Sequence, residues 1–355
     1  MDYGILLATS SHHWKVVKRA EELGFTHAWF YDTELLNAEV FVAMAAAAMQ
    51  TSKIKLGTGV LIPSNRIAPV TASGLASLNA LAPGRINFGV STGFTARRTL
   101  GLPAITLARL EEYIHVVQAL LKGETVDWSE EGGTHKVRFL NPELNLININ
   151  DPIPTHISAF GPRGRKLVAT LNAGWINTMP NAKRANDALA DMQKSWSEAG
   201  RDPKSLYTTV FGGGCVLREG EPPDSPRAKA QAGPGASIVF HNLVEAEELG
   251  TIGGSVPPQF QKQFDAYKEI YRNYQPPDAR YLSNHRGHLM FLRPEEQAII
   301  TGDIIKALTF TGTQAELVEG VRAVKAAGYS QFGFNLRNGH EMAMLEDWAA
   351  IIAKV

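Results

Sequence analysis

The chain has 355 residues, 44% of them hydrophobic and 20% charged, enough apolar material to bury a large core as one barrel or as two domains. Lysine plus arginine balances aspartate plus glutamate at 35 each, so no global field draws the protein to nucleic acid or to an anionic membrane surface. A single cysteine, Cys215, excludes an internal disulfide and a multi-thiolate zinc site.

Strand and helix signals alternate from the first residues. A strand over 3–8 leads to a helix over 13–23, which Gly24 ends as a C′ residue. A strand at 26–31 and an Ala- and Met-rich helix at 39–50 follow. Next come a strand at 54–60, a helix at 68–81 and a strand at 86–90. Residues 107–121 repeat apolar positions at helical spacing, with Gly123 beyond. Strand 153–158, helix 163–171 and strand 174–178 form another βαβ unit, and an amphipathic helix at 186–198 precedes a strand at 206–211. Thr313 and Glu316 make a capping box for a helix over 314–327. A strand at 331–334 and a helix at 342–353 close the chain.

Eight strands alternating with helices over ~250 residues is the count for a (β/α)8 TIM barrel, within one domain over 1–355. The rival, an open doubly wound sheet, has the same periodicity, but no G-x-G-x-x-G follows the first strand. Two segments are surplus. Residues 124–150 read as a hairpin after the fourth helix, on the face away from the strand ends. Residues 212–312 hold Pro- and Gly-rich loops and helices, and start on the active face after the seventh strand. The N-terminus shows no basic segment followed by an apolar one, and no apolar run reaches ~18 residues, so the expected setting is cytoplasmic, with no membrane partner.

The most informative block is 54–93, IKLGTGVLIPSNRIAPVTASGLASLNALAPGRINFGVSTG. Each strand in it runs out into small polar residues, which leave room for a ligand at the carboxyl ends of parallel strands. Together with RAEELGFTHAWFYDT, RLEEYIHVVQALLKGE, PTHISAFGPRGRKLVATLNAGWI and TGTQAELVEGVRAVKAAG, this block resembles the luciferase-like flavin-dependent oxidoreductases along nearly the whole chain. The nearest pattern is the branch described as methylenetetrahydromethanopterin reductase-like. The resemblance implies a (β/α)8 barrel, usually a homodimer, that binds FMN or the deazaflavin coenzyme F420 across the strand ends.

Ser158, Ala159, Gly161, Pro162 and Arg163 lead from the fifth strand into a helix whose free N–H groups suit a phosphate. On the residues alone an ordinary βα turn fits as well, and it is the resemblance that favours the phosphate. The resemblance also assigns Thr58, Gly59 and Val60 to the flavin ring, where relatives carry a cis bond or a bulge. A glycine serving close packing is the alternative. Ser91, Thr92 and Gly93 offer hydrogen bonds at the pyrimidine edge, or simple turn chemistry. Asp32 ends the second strand. Several deazaflavin-dependent relatives follow this aspartate with a histidine, where this chain has Thr33. A helix cap or the partner of a buried arginine is the other reading of Asp32.

In the large insertion, His285 and His288 are candidates for proton transfer, and Arg286 for an anionic substrate or a peroxide. His241 reads as a packing residue, His12 as a secondary site residue, and Trp29 and Trp175 as core aromatics. A metal pair at His285 and His288 lacks a third ligand of obvious spacing, so no metal is assigned. Phe240, Phe260, Phe264, Tyr267 and Phe291 either line an apolar pocket or pack the insertion's own helices.

The leading functional expectation is an FMN-dependent monooxygenase that takes reduced flavin from a separate reductase and uses O2 to oxygenate a small organic substrate. The alternative is an F420-dependent reductase or dehydrogenase. A non-catalytic flavin-binding barrel is the third reading.

Overall fold

The computed structural model describes residues 1–250 and 256–355. The first half of the chain alternates strictly: β1 (Asp2–Leu7), α1 (Trp14–Glu22), β2 (His27–Phe30), α2 (Val40–Ala48), β3 (Lys55–Thr58), α3 (Ala68–Leu81) and β4 (Ile86–Val90). A short α4 (Phe94–Thr99) then precedes α5 (Leu107–Leu121) and an antiparallel hairpin of β5 (Val126–Glu130) and β6 (Gly133–Val137). Alternation resumes with β7 (Thr155–Ser158), α6 (Pro162–Thr170), β8 (Gly174–Thr178), α7 (Ala182–Glu198) and β9 (Thr208–Gly212). The long insertion runs from β10 (Val216–Leu217) through α8 (Pro226–Glu248), α9 (Gln261–Arg272), α10 (Arg280–Asn284) and α11 (Gly302–Leu308) to β11 (Gly312–Thr313). The last elements are α12 (Gln314–Ala327), β12 (Gln331–Asn335) and α13 (Glu341–Ile352).

Strands β1, β12, β9, β8, β7, β4, β3 and β2 close into a barrel in that order, each parallel to its neighbours. The expected (β/α)8 architecture is therefore present. Helices with strong local caps lie where the sequence puts them: the Thr106 hydroxyl accepts from the Arg109 N–H at the start of α5, and Thr313 and Glu316 cap α12 reciprocally. Two features have no legible local signal. α4 is six residues long, and β10 and β11 hold two residues each and exist only because the two ends of the insertion meet.

The barrel interior explains the glycines of the 54–93 block in a way the sequence does not show. Trp29 reaches across from β2, and a Cβ on Gly57 would stand 2.6 Å from its ring. Phe211 likewise lies where a Cβ on Gly333 would meet it at 2.5 Å. These glycines admit aromatic side chains into the barrel, so they fill its core, and the space they leave goes to Trp29 and Phe211. The Trp29 indole donates to the Gln331 side chain at 3.0 Å. Trp29 and Trp175 are both buried, as expected of core aromatics.

The hairpin segment ends at the strand-start face. Asn79, near the end of α3, donates to the Asn148 and Asp151 carbonyls at 3.1 and 2.9 Å. The long insertion stands over the opposite face with its own apolar core, in which Phe240, Phe260, Phe264 and Tyr267 pack together. Those aromatics therefore serve the insertion's own helices, while Phe291 is exposed. Among the described residues, no helix is long and apolar enough to cross a membrane.

Candidate active site

Parallel strands bring all their carboxyl ends to one rim. At the end of β2, Asp32 is buried and accepts from the Ile62 N–H at 3.0 Å and from Arg66 Nη1 at 2.9 Å. Burial pushes its carboxyl above the ordinary value, although Arg66 pulls it down. Arg66 also pairs with Glu39. Asp32 thus ties the end of β2 to the loop after β3, the arginine-partnered arrangement that was the alternative reading of this residue.

That loop begins with a cis peptide bond between Gly59 and Val60. Gly59 N–H donates to Phe30 at 2.7 Å and Leu61 N–H to Gly89 at 2.8 Å, leaving Val60 against the layer of Leu6, Ala8, Trp29, Tyr31, Ile176 and Phe211 that fills the barrel mouth. The Thr58 hydroxyl is buried between strands, donating to the Gly89 carbonyl at 2.6 Å. Its side chain therefore serves the sheet. Ser91 donates to the Ser158 carbonyl at 2.9 Å and joins the ends of β4 and β7. Thr92 accepts from the Ile105 N–H at 3.0 Å. Gly93 adopts φ +83°, and a Cβ there would meet Ile62 at 2.6 Å, so only glycine suits the turn into α4.

At the start of α6 the geometry suits an anion. Gly161 is the N-cap without a side-chain cap, Pro162 occupies the first turn, and Gly161, Pro162 and Arg163 are exposed. Nothing stands within 4 Å of the place a Gly161 Cβ would take. Ala159 is buried, its carbonyl accepting from the Trp175 indole at 2.8 Å, while Ser158 is half-buried beside it. Arg165 donates to the Phe160 carbonyl at 2.7 Å and pairs with Asp191 at 3.0 Å, and so belongs to the turn.

The insertion brings His241, which sequence spacing did not connect to them, beside His285 and His288. His241 Nδ1 and His288 Nδ1 are 3.0 Å apart, and His241 Nε2 lies 2.6 Å from Glu296. Arg293 donates to Glu296 at 2.6 Å and to the Tyr267 hydroxyl at 2.7 Å. His285 Nε2 stands 2.8 Å from the Glu245 carboxylate, which also accepts from Arg98 at 2.9 Å and Asn284 at 2.6 Å. Burial alone would raise the Glu296 carboxyl, but His241 and Arg293 hold it down at about 2. Burial depresses His241 and His288, so both rings are neutral near neutral pH; the neighbouring histidines and Arg293 push the same way at His288.

These facts set the tautomers. Ionised Glu296 only accepts, so His241 Nε2 carries its proton and His241 Nδ1 must accept from His288 Nδ1–H. His288 Nε2 is then left with a lone pair, 3.4 Å from the Thr95 hydroxyl of α4. The residues after it, Leu289 and Met290, pack onto the barrel-mouth layer. His288 Nε2 thus keeps its lone pair toward α4. Arg286, by contrast, is exposed and lies over the Phe291 ring, and His12 is exposed. Among the described residues no group of His, Cys, Asp or Glu is arranged to hold a metal.

One rim residue went unnoticed in the sequence. Arg337 lies two residues past β12, is fully buried, and sits beside the Tyr31 hydroxyl. Its inward position continues the alternation of Gln331, Gly333 and Asn335, and that two-residue period was the available signal.

Residues 8–331 match the family described as luciferase-like monooxygenase. The chain is 30% identical over 218 residues to a 5,10-methylenetetrahydromethanopterin reductase of Methanolobus tindarius, covering 59% of this chain and 64% of that protein, just under two thirds of its length. It is 32% identical to an F420-dependent hydroxymycolic acid dehydrogenase of Mycobacterium tuberculosis, over 53% of this chain and 54% of that one. The coenzyme F420 dependent tetrahydromethanopterin reductase of Methanopyrus kandleri superposes with a TM-score of 0.69 at 21% identity, covering 98% of this chain and 97% of the other. A type II Baeyer–Villiger monooxygenase component of Pseudomonas putida, solved with FMN, superposes at 0.62 with 11% identity, over 100% and 97% of the two chains. At those identities the two superpositions speak to fold alone.

Proposed function

The chain belongs to the luciferase-like monooxygenase family, whose members similar to it are oxidoreductases, and on that premise we propose that it transfers hydride between the deazaflavin coenzyme F420 and a small organic substrate in the cytoplasm. The observation that carries this reading is the character of the relatives at 30% identity or above, among them a methylenetetrahydromethanopterin reductase and F420-dependent dehydrogenases. The leading expectation from the sequence, FMN with O2, thus gives way to its alternative. The rim fits a cofactor of this class. The uncapped, open start of α6 suits its phosphate, and Ser158, Gly161 and Arg163 are the residues that would hold it. Val60, beside the cis peptide at the barrel mouth, would back the ring, with Ser91 and Thr92 at its polar edge.

Bound deazaflavin supplies a carbon that accepts or gives a hydride. The protein's part is positional and acid–base. His288 Nε2, its lone pair fixed by the His241–Glu296 relay, takes the substrate proton in the oxidative direction and returns it in the reductive one. This places the proton-handling group on the insertion, in a chain that has Thr33 where several deazaflavin-dependent relatives have histidine. Leu289 and Met290 keep water from the mouth. Exposed Leu35, Val42, Met49, Ile67 and Val70 on and around α2 and α3 offer an apolar face to a second copy, consistent with a homodimer.

FMN-dependent oxygenation is the second reading, favoured by Thr33. Titration of the apoprotein with F420 and with FMN, each oxidised and reduced, separates the two. Selective F420 binding, with turnover indifferent to O2, is the expected result. Tight binding of reduced FMN with O2-dependent turnover would replace it, and binding of neither would remove the flavin-class assignment.

A further inference from the structure

We propose that Arg337, with the Tyr31 hydroxyl, is the recognition site for a carboxylate on the substrate. The inference rests on reading the strand ends as the active site and names the substrate class that this site takes. Four observations carry it. Arg337 is fully buried, and its Nε and Nη2 have no hydrogen-bond partner among the described residues. Nη1 meets the Leu336 carbonyl weakly, at 3.4 Å, and the Tyr31 hydroxyl also interacts with the guanidinium. Nε and Nη2 share one edge of the guanidinium, and that edge is the fork that grips a planar carboxylate with two parallel N–H bonds. No carboxylate of the protein pairs with Arg337 among the described residues, in contrast to buried Arg98 and Arg293, which meet Glu245 and Glu296.

Glycine main chain packs close to this edge. A Cβ on Gly235 would stand 2.8 Å from Nη2 and one on Gly213 3.1 Å, so glycines from α8 and from the end of β9 keep side chains off it. The Tyr31 hydroxyl interacts with the Arg337 guanidinium and has no other partner among the described residues, and Asn335 Oδ1 on the same strand end has none. A buried cation without a counter-ion is costly to the fold, and a bound anion removes that cost. Leu289, Met290 and Val60 at the same mouth would face the rest of the substrate. The class is therefore a small organic acid with an apolar body, its carboxylate on Arg337 and its reacting carbon toward the ring site.

The test follows ligand-induced changes in melting temperature, with acetate, benzoate and inorganic phosphate as probes and acetamide and benzamide as neutral controls, in the parent protein and in Arg337→Met and Arg337→Lys. The expected result is that the acids raise the parent's melting temperature and the amides do not. The acid affinity falls about 10- to 100-fold in Arg337→Met, the loss expected for charged hydrogen bonds, and falls less in Arg337→Lys. Arg337→Met without probe should melt no lower than the parent. No acid response in the parent, or the same response in Arg337→Met, overturns the proposal. A response to phosphate alone replaces the carboxylate with a phosphoryl group. A sharply lower melting temperature in both variants with no acid response makes Arg337 structural. Loss of F420 affinity in Arg337→Met, with acid binding intact, would assign the arginine to the cofactor instead. Failure of F420 to bind either form would sink the hydride-transfer reading while leaving the acid result standing.

Discussion

Inside the barrel, bulk is accommodated by absence: Trp29 and Phe211 fit because Gly57 and Gly333 have no side chains, and Leu6 and Ile176 complete an apolar layer. Inside the insertion, one part of the interior is held by charge. Arg293, Glu296 and His241 form one buried network, and Arg98, Glu245 and Asn284 another, the second joining α4 to α8 and α10. The two devices have different consequences. Apolar packing tolerates small shifts and contributes in proportion to the area buried. A buried ionic network recovers its desolvation cost only when every partner is in place, so it favours one arrangement of the lid over its neighbours. The barrel is thus where stability resides, and the insertion is where position is specified.

The sharpest way to break this contrast is Trp29→Ala. Emptying the barrel's largest interior side chain should lower global stability by about 3–5 kcal/mol in urea unfolding, with cleavage of the insertion by protease unchanged under native conditions. A variant that loosened the insertion first would show that the two regions share one stability.

Glu296→Gln comes next. It leaves Arg293 short of its counter-ion and frees His241 to change tautomer, for a loss of about 3 kcal/mol. Here the effect should appear as early proteolysis within 216–313, ahead of any change in the barrel's unfolding midpoint. An unaltered proteolysis pattern would remove the network from its positioning role.

A third effect, spread over a range of pH, is one the two regions share. Burial depresses His27 to about 4 and His156 to about 3 in the barrel, and depresses His241 and His288 in the insertion. A folded-state pKa below the unfolded value means the unfolded chain binds more protons as the solution turns acid. The stability these histidines contribute is fully present above pH ~6.5 and is lost as pH falls toward the folded values, at about 1.4 kcal/mol per pH unit for each histidine within its window. The melting temperature should therefore be flat above neutrality and decline from pH ~6.5 downward. Replacing His156 with Asn should shallow that decline. An identical slope would take His156 out of the account.

What the sequence determined by itself is the part governed by neighbours along the chain. Alternating periods of two and 3.6 set the strand and helix order, and local caps such as Thr106 and the Thr313–Glu316 box fixed helices within a residue. The Gly161–Pro162 helix start was legible for the same reason, although on the residues alone an ordinary βα turn fitted as well and the family resemblance favoured a phosphate. Tertiary structure decided everything that depends on which surfaces meet. The glycines at 57 and 333 face Trp29 and Phe211, His241 meets His288 across 47 residues and Glu296 across 55, and Arg337 arrives beside Tyr31 from the far end of the chain. No local pattern encodes such pairings. They exist only once the barrel closes β12 onto β1 and the insertion folds back over the rim, where burial turns ordinary polar side chains into groups whose partners matter.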